Sequence, residues 1–261
     1  MSAFISLTVT SARVGTLGGI VSRGFGLNDL GQVVGDSGTS ILGEASHAFR
    51  TDAALVMTDL GTLGGRYSSA RAINNSGRVV GESSFSRDLD NEIHAFRTDA
   101  AGAMSDLGTL GGTYSRANAI NAAGDAVGFA ALAGDEVTHA FLAPAGGGMI
   151  DLGTFGGAPR SEATAINDAG QIVGYSFEQR DTGRVPFLYE NGRMIDLNTL
   201  LPAGSGWTLL EAADINNLGQ IVGIGTFGGQ QRGFVLTPVP EPAQASLFAG
   251  AGVLVLRRRR K

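Results

Sequence analysis

Three short phrases recur in fixed order along this chain, and that repetition constrains its fold more than any other feature. The first is Gly-Thr-Leu-Gly-Gly, at residues 15–19, 61–65 and 108–112. Phe155 replaces the Leu in the copy at 153–157, and a worn copy stands at Asn198-Thr199-Leu200. The second has the form (Ile/Leu)-Asn-x-x-Gly-x-x-Val-Gly. Its Asn residues are Asn28, Asn74, Asn121, Asn167 and Asn216, at steps of 46, 47, 46 and 49. The third is His-Ala-Phe, at 47–49, 94–96 and 139–141, which degenerates to Val185-Pro186-Phe187 and Arg232-Gly233-Phe234. The body is therefore five units of about 46 residues.

Each unit reads as four short strands. In the second unit, 70–73 is a short run ending in the turn Asn74-Asn75-Ser76-Gly77. Asn can bond its own backbone two residues on, and Gly supplies a positive φ without steric cost. Residues 78–83 return around Val79 and Val80 as the second strand of a hairpin. A variable loop at 84–93 leads to a third strand at 94–98, a turn at 99–102 and a fourth strand at 103–107. No stretch of the body carries a sustained helical period with caps. The 41 Gly among 261 residues are thus turn punctuation, and with 43% hydrophobic residues the chain is not a disordered, highly charged one.

Four antiparallel strands repeated at this step predict an all-β chain, a five-bladed β-propeller. Small residues alternate on the first strands (Gly24 and Gly26, Ala70 and Ala72, Ala117 and Ala119, Ala163 and Ala165), as suits an innermost strand. The alternative is an open β-solenoid of the same units. The ends favour the ring. The last unit stops after its third strand at 233–236, and the chain starts with a strand-like run at 4–9 followed by the first pentapeptide. Pairing 4–9 with 233–236 would complete the fifth unit and remove two exposed edges. The expected domains are a ring over 1–237 and a separate tail over 238–261.

On these phrases, the stretch 14–236 resembles the HAF family of bacterial extracellular repeats. The resemblance implies an exported protein and says little about activity. The tail reads Val239-Pro240-Glu241-Pro242, an apolar run at 243–256, then Arg257, Arg258, Arg259, Arg260 and Lys261. It is similar to a PEP-CTERM sorting signal. Prolines keep the motif extended and outside any sheet, and a basic cluster stays on the cytoplasmic side of a membrane. The similarity implies an exosortase and the export machinery as partners, transient membrane contact, and release or attachment at the surface of a Gram-negative cell. The 14-residue apolar run spans about 21 Å as a helix, short of a hydrocarbon core of about 30 Å, so a processing signal is expected rather than a permanent anchor. Met1-Ser2-Ala3-Phe4 lacks the basic region of a signal peptide, so the true start is expected upstream. The alternative is a cytoplasmic fragment.

The net charge of −5 hides an asymmetry: outside the five basic residues at the end, 14 Arg face 24 acidic residues. An acidic body argues against nucleic-acid binding. The absence of Cys excludes a disulfide scaffold, thiol catalysis and Cys-based metal sites.

His47, His94 and His139 occupy equivalent positions. They could gather as metal ligands, but Val185 and Arg232 replace them in the last two units, so no ring of ligands closes. The structural reading is a strand-start His bonded to a backbone carbonyl. Asp59, Asp106, Asp151 and Asp196 precede the pentapeptide positions. They could hold cations or act as acid–base pairs. Their recurrence once per unit favours capping of turns and strand ends. The loops between second and third strands break the symmetry with Asp88, Asp90 and Glu92, with Asp135 and Glu136, and with Glu178 and Asp181. The first of these is a weak Ca²⁺ candidate without the Gly of an EF-hand loop; the bland reading is a solvated surface loop. Trp207 could stack on a sugar or fill an irregular junction. No nucleophile–His–Asp context, phosphate loop, dinucleotide fingerprint or HExxH stands in the chain. No catalytic residue or cofactor is expected. The function expected is a non-enzymatic surface or matrix protein, with extracellular polysaccharide as a partner; the alternative is an exported glycosidase or lyase on the same scaffold.

Overall fold

The computed structural model describes residues 13–86, 92–178 and 183–239. These residues are all β, with no α-helix and one 3₁₀ turn at Leu197–Leu200. The first unit is the antiparallel sheet β1 (Ser22–Leu27), β2 (Val33–Gly38), β3 (Ser46–Thr51) and β4 (Met57–Asp59). The second is β5 (Ser68–Ile73), β6 (Val79–Ser84), β7 (Ile93–Thr98) and β8 (Met104–Gly108). The third is β9 (Gly111–Ile120), β10 (Ala126–Leu132), β11 (Thr138–Ala143) and β12 (Ile150–Gly153). The fourth is β13 (Arg160–Ile166), β14 (Ile172–Phe177), β15 (Val185–Glu190) and β16 (Arg193–Asp196). The fifth has β17 (Trp207–Ile215), β18 (Ile221–Phe227) and β19 (Gln230–Leu236). Among the described residues no sheet closes on itself. The strand expected at 4–9 lies outside the described residues, and so does its pairing with 233–236.

The units are not all separate sheets. β9 begins inside the pentapeptide, at Gly111, and Tyr114 pairs in parallel with Ile93 of β7, so the second and third units share a sheet. A similar parallel bridge joins Ser46 to Tyr67 between the first and second units. The double Gly lets the chain run flat beside the preceding third strand, so the passage between units is itself β.

The Asn phrase folds the same way five times. The Asn carbonyl accepts the N–H of the Gly three residues on, and those Gly residues sit at φ between 73° and 93°. The Asn side-chain oxygen accepts further backbone N–H groups of the turn, such as Ser76 and Arg78 for Asn74. The first and second strands then pair around a bulge at the same place in every unit. Phe25, Arg71, Asn118, Thr164 and Ala213 are the extra residues. The Gly of each Val-Gly (Gly35, Gly81, Gly128, Gly174, Gly223) lies opposite the bulge. A Cβ there would overlap the carbonyl oxygen of Arg23, Ser69, Arg116, Glu162 or Glu211 respectively. This is why all five copies keep Gly.

No unit buries its faces alone. Val34, Ala48 and Leu60 of the first pack on Ala70, Ile73, Val79 and Phe96 of the second. The pattern repeats along the chain to Val173, Leu188 and Leu197 against Leu209, Ala212, Ile215, Ile221 and Phe234. His-Ala-Phe is thereby decoded: its Phe fills the core shared with the preceding unit, and its Ala fills the core shared with the next. At the ends the pattern is incomplete. Phe49 of the first unit is fully buried, but Val222 of the fifth is 40% exposed where its four counterparts are 0% exposed. Leu27 is exposed as well.

Candidate functional site: a polar band across the repeats

The five Asn turns converge. Asn28 Nδ2 donates to the carbonyl of Asn74 at 3.1 Å, Asn74 to Asn121 at 2.9 Å, Asn121 to Asn167 at 3.4 Å, and Asn167 to Asn216 at 3.1 Å. Turn residues from all five units line one cavity of about 370 Å³. The first strands therefore lead away from a common end.

On the first and second strands the repetition fails at three positions. Five residues before each Asn stand Arg23, Ser69, Arg116, Glu162 and Glu211. At the bulge stand Phe25, Arg71, Asn118, Thr164 and Ala213. Eight residues after each Asn stand Asp36, Glu82, Phe129, Tyr175 and Ile224. A bulge re-aims its extra side chain, which is why bulges gather at functional sites.

These residues bond to one another. Arg23 pairs with Asp36 at 2.9 Å and Arg71 with Glu82 at 2.6 Å. Tyr114 Oη donates to Glu82 at 2.8 Å. Arg116 pairs with Glu162 at 3.3 Å, and Asn118 Nδ2 and Tyr175 Oη donate to the same carboxylate. Arg184 pairs with Glu211. Guanidinium groups also lie on rings: Arg71 over Phe25 at 5.0 Å, Arg116 over Phe129 at 4.7 Å, and Arg184 over Tyr175 at 4.5 Å. Several of these contacts cross from one unit to the next, so they form a band over all five. Two cavities open on it. One of about 360 Å³ is lined by Arg23, Asp36, Ser46, Tyr67, Glu82 and Tyr114. The other, about 510 Å³, is lined by Arg184, Glu211, Ile224 and Gln231. Asp36 is only 4% exposed, and its Oδ2 also accepts from Ser46 Oγ at 3.2 Å.

Burial, and next the charge of Glu82, pushes the Tyr114 phenol well above its ordinary range; burial and Glu162 do the same to Tyr175. The folded state holds these protons more tightly than the unfolded chain does. Their contribution to stability is complete below about pH 10, where a free phenol titrates, and is lost as pH rises further. Stability from urea unfolding should fall from about pH 10 upward. The fall should be shallower in Tyr114→Phe; an unchanged slope would remove Tyr114 as its cause.

The residues singled out from sequence lie elsewhere. His47, His94 and His139 place Nδ1 2.9 Å from Asp59, Asp106 and Asp151 respectively. The expected backbone-carbonyl partner is thus corrected to a carboxylate. Each Asp also accepts the N–H of the first pentapeptide Gly, at 2.7 Å for Gly61, Gly108 and Gly153. Each His is held within its own unit, and among the described residues no three His, Asp or Glu gather as a metal would require. Asp196 caps the 3₁₀ turn through Asn198 N at 2.8 Å. Asp135 accepts from Thr113 N and Oγ1. Of the Ca²⁺ candidate, Asp88 and Asp90 lie outside the described residues, as does Asp181; the Glu92 carbonyl accepts from Phe85 N at 2.9 Å. Trp207 meets Phe227 ring to ring in a tilted pair at 5.2 Å and packs against the last core, which makes it a filler of the fifth sheet. Of the sorting motif, Val239 is exposed, and Pro240 onward lies outside the described residues.

No protein-family model matches this chain, and no curated protein matches it. Among the described residues, no helix is long and apolar enough to cross a membrane.

Proposed function

We propose that this chain is an exported, non-enzymatic binding protein, built as a five-bladed β-propeller and sorted to the cell surface or matrix by an exosortase acting on its tail. One observation carries the binding reading. The scaffold repeats its turns, bulges and cores, and the unlike residues collect on one band with two cavities. A frame kept constant around a variable surface is how repeat proteins build recognition. Asp36 and Glu82 line one cavity, the observation that favours a glycosidase as second reading. Against it, each carboxylate already holds an arginine and a hydroxyl.

The five-bladed ring draws support from the single cavity under all five turns. Closure would bring Val222 onto Leu27, as Val34 meets Ile73 one step on. The chain has no Cys, so cysteine pairs give an unambiguous readout. Val222→Cys with Leu27→Cys should cross-link within a monomer on oxidation, as should the control pair at Val34 and Ile73. Cross-links only between chains, or none, would refute the ring.

Export and sorting are tested by fractionating the native host and mapping the C-terminus by mass spectrometry. Product outside the cell, cleaved near Glu241 and Pro242, is expected. Full-length protein confined to the cytoplasm would refute the reading.

A further inference from the structure

We infer that the cavity over the first three units binds a neutral, hydroxyl-rich glycan segment, with Tyr67 as its stacking platform. The inference rests on the binding reading above and names the ligand class. Tyr67 stands just before β5, and its backbone is fixed on both sides: its N–H donates to Ser84 Oγ at 2.9 Å, and its carbonyl accepts from Ser84 N at 2.8 Å. The residue is nevertheless 45% exposed, and it lines the cavity. Its hydroxyl has no hydrogen-bond partner among the described residues. Tyr114, the equivalent residue one unit on, has committed its hydroxyl to Glu82. An exposed aromatic ring on a rigid backbone stacks at little entropic cost and brings a polar tip with it.

The rest of the cavity wall pairs acceptors with donors. Asp36 Oδ2 meets Arg23 and Ser46, its Oδ1 lies 3.5 Å from Ser69 Oγ, and Glu82 is held by Arg71 and Tyr114. A sugar hydroxyl both donates and accepts, so a row of them matches such a wall. The wall is close to neutral, because each carboxylate has its own guanidinium. Outside its five C-terminal basic residues the chain as a whole carries 14 Arg against 24 acidic residues, a field that repels polyanions. A volume of about 360 Å³ falls within the usual range for small-ligand pockets.

The test is calorimetric titration of the purified full chain with neutral hexasaccharides of glucose, mannose and galactose, and with uronic-acid hexasaccharides of the same length. At least one neutral series should bind saturably, and the uronates at least about tenfold more weakly. Tyr67→Ala should lose at least about tenfold in affinity with its thermal midpoint unchanged, and Tyr67→Phe should retain most of it. No binding by any neutral series, preference for uronates, or wild-type affinity in Tyr67→Ala would each overturn the inference. A chain that lies outside the cell and binds no glycan sinks this inference alone. A chain that binds glycan but stays in the cytoplasm sinks the sorting reading alone.

Discussion

Phe141→Ala should destabilise the chain by about 3–5 kcal/mol, read as a shift in the urea midpoint. Phe141 is 0% exposed and sits in the core that joins the second and third units, with Val80 and Ala95 on one side and Ala117, Ala126 and Ala130 on the other. The fully buried members of its cluster are mostly alanines anchored to paired backbone, which leaves only the partly buried Leu107, Leu110, Ile120 and Met149 with side chains long enough to move in. The loss is therefore a transfer term plus a cavity term. It should also split the cooperativity of unfolding, because these cores are where neighbouring units bury their faces on each other. A loss below about 1 kcal/mol would mean that the neighbours do collapse and that the Phe of each His-Ala-Phe is not the joint between units.

What could be read from the sequence follows from what repeats. The period gave the strands, since Asn with Gly three residues on forces a turn at each copy and the Val-Gly places the returning strand. Second-unit boundaries came within about two residues of β5 to β8. The His–Asp pairing was missed although its signal was present. Asp follows His by 12 residues in each of the three units that have His. Across a hairpin that fixed spacing puts the two side chains together. The fourth unit has lost the His, and its Asp196 has turned to capping instead. The bulge was not legible, because an extra residue opposite a Gly leaves no local mark in composition. The band was missed for the same reason. Variation at Arg23, Phe25 and Asp36 and their counterparts looks like ordinary surface drift until the bulge fixes which side chains share a face. The parallel bridge at Ile93 and Tyr114 is a long-range event that the pentapeptide permits but does not announce.

Asn121→Asp should be at least as damaging as Asn121→Ala, with each costing about 3 kcal/mol or more. Asn121 is 5% exposed and works in two directions. Its Oδ1 accepts from Gly124 N at 3.0 Å and Asp125 N at 2.9 Å, which shapes its own turn. Its Nδ2 donates to the Asn167 carbonyl of the next unit and to Asp125 Oδ2. Ala removes both sets. Asp keeps the size and the acceptor oxygen, so the turn survives, but it replaces the donor with a second acceptor facing a carbonyl and a carboxylate. Burial and the neighbouring Asp125 would then raise the pKa of the new carboxyl above its unfolded value of about 3.9. A raised folded pKa makes the variant most stable below about pH 4 and weaker as pH climbs through the shifted value. The expected result is a variant that regains stability relative to Asn121→Ala on acidification, because a protonated carboxyl can donate to Asn167 again. If Asn121→Asp instead matched the parent chain at neutral pH, the amide link between units would contribute nothing, and the convergence of the five turns would rest on the apolar cores alone.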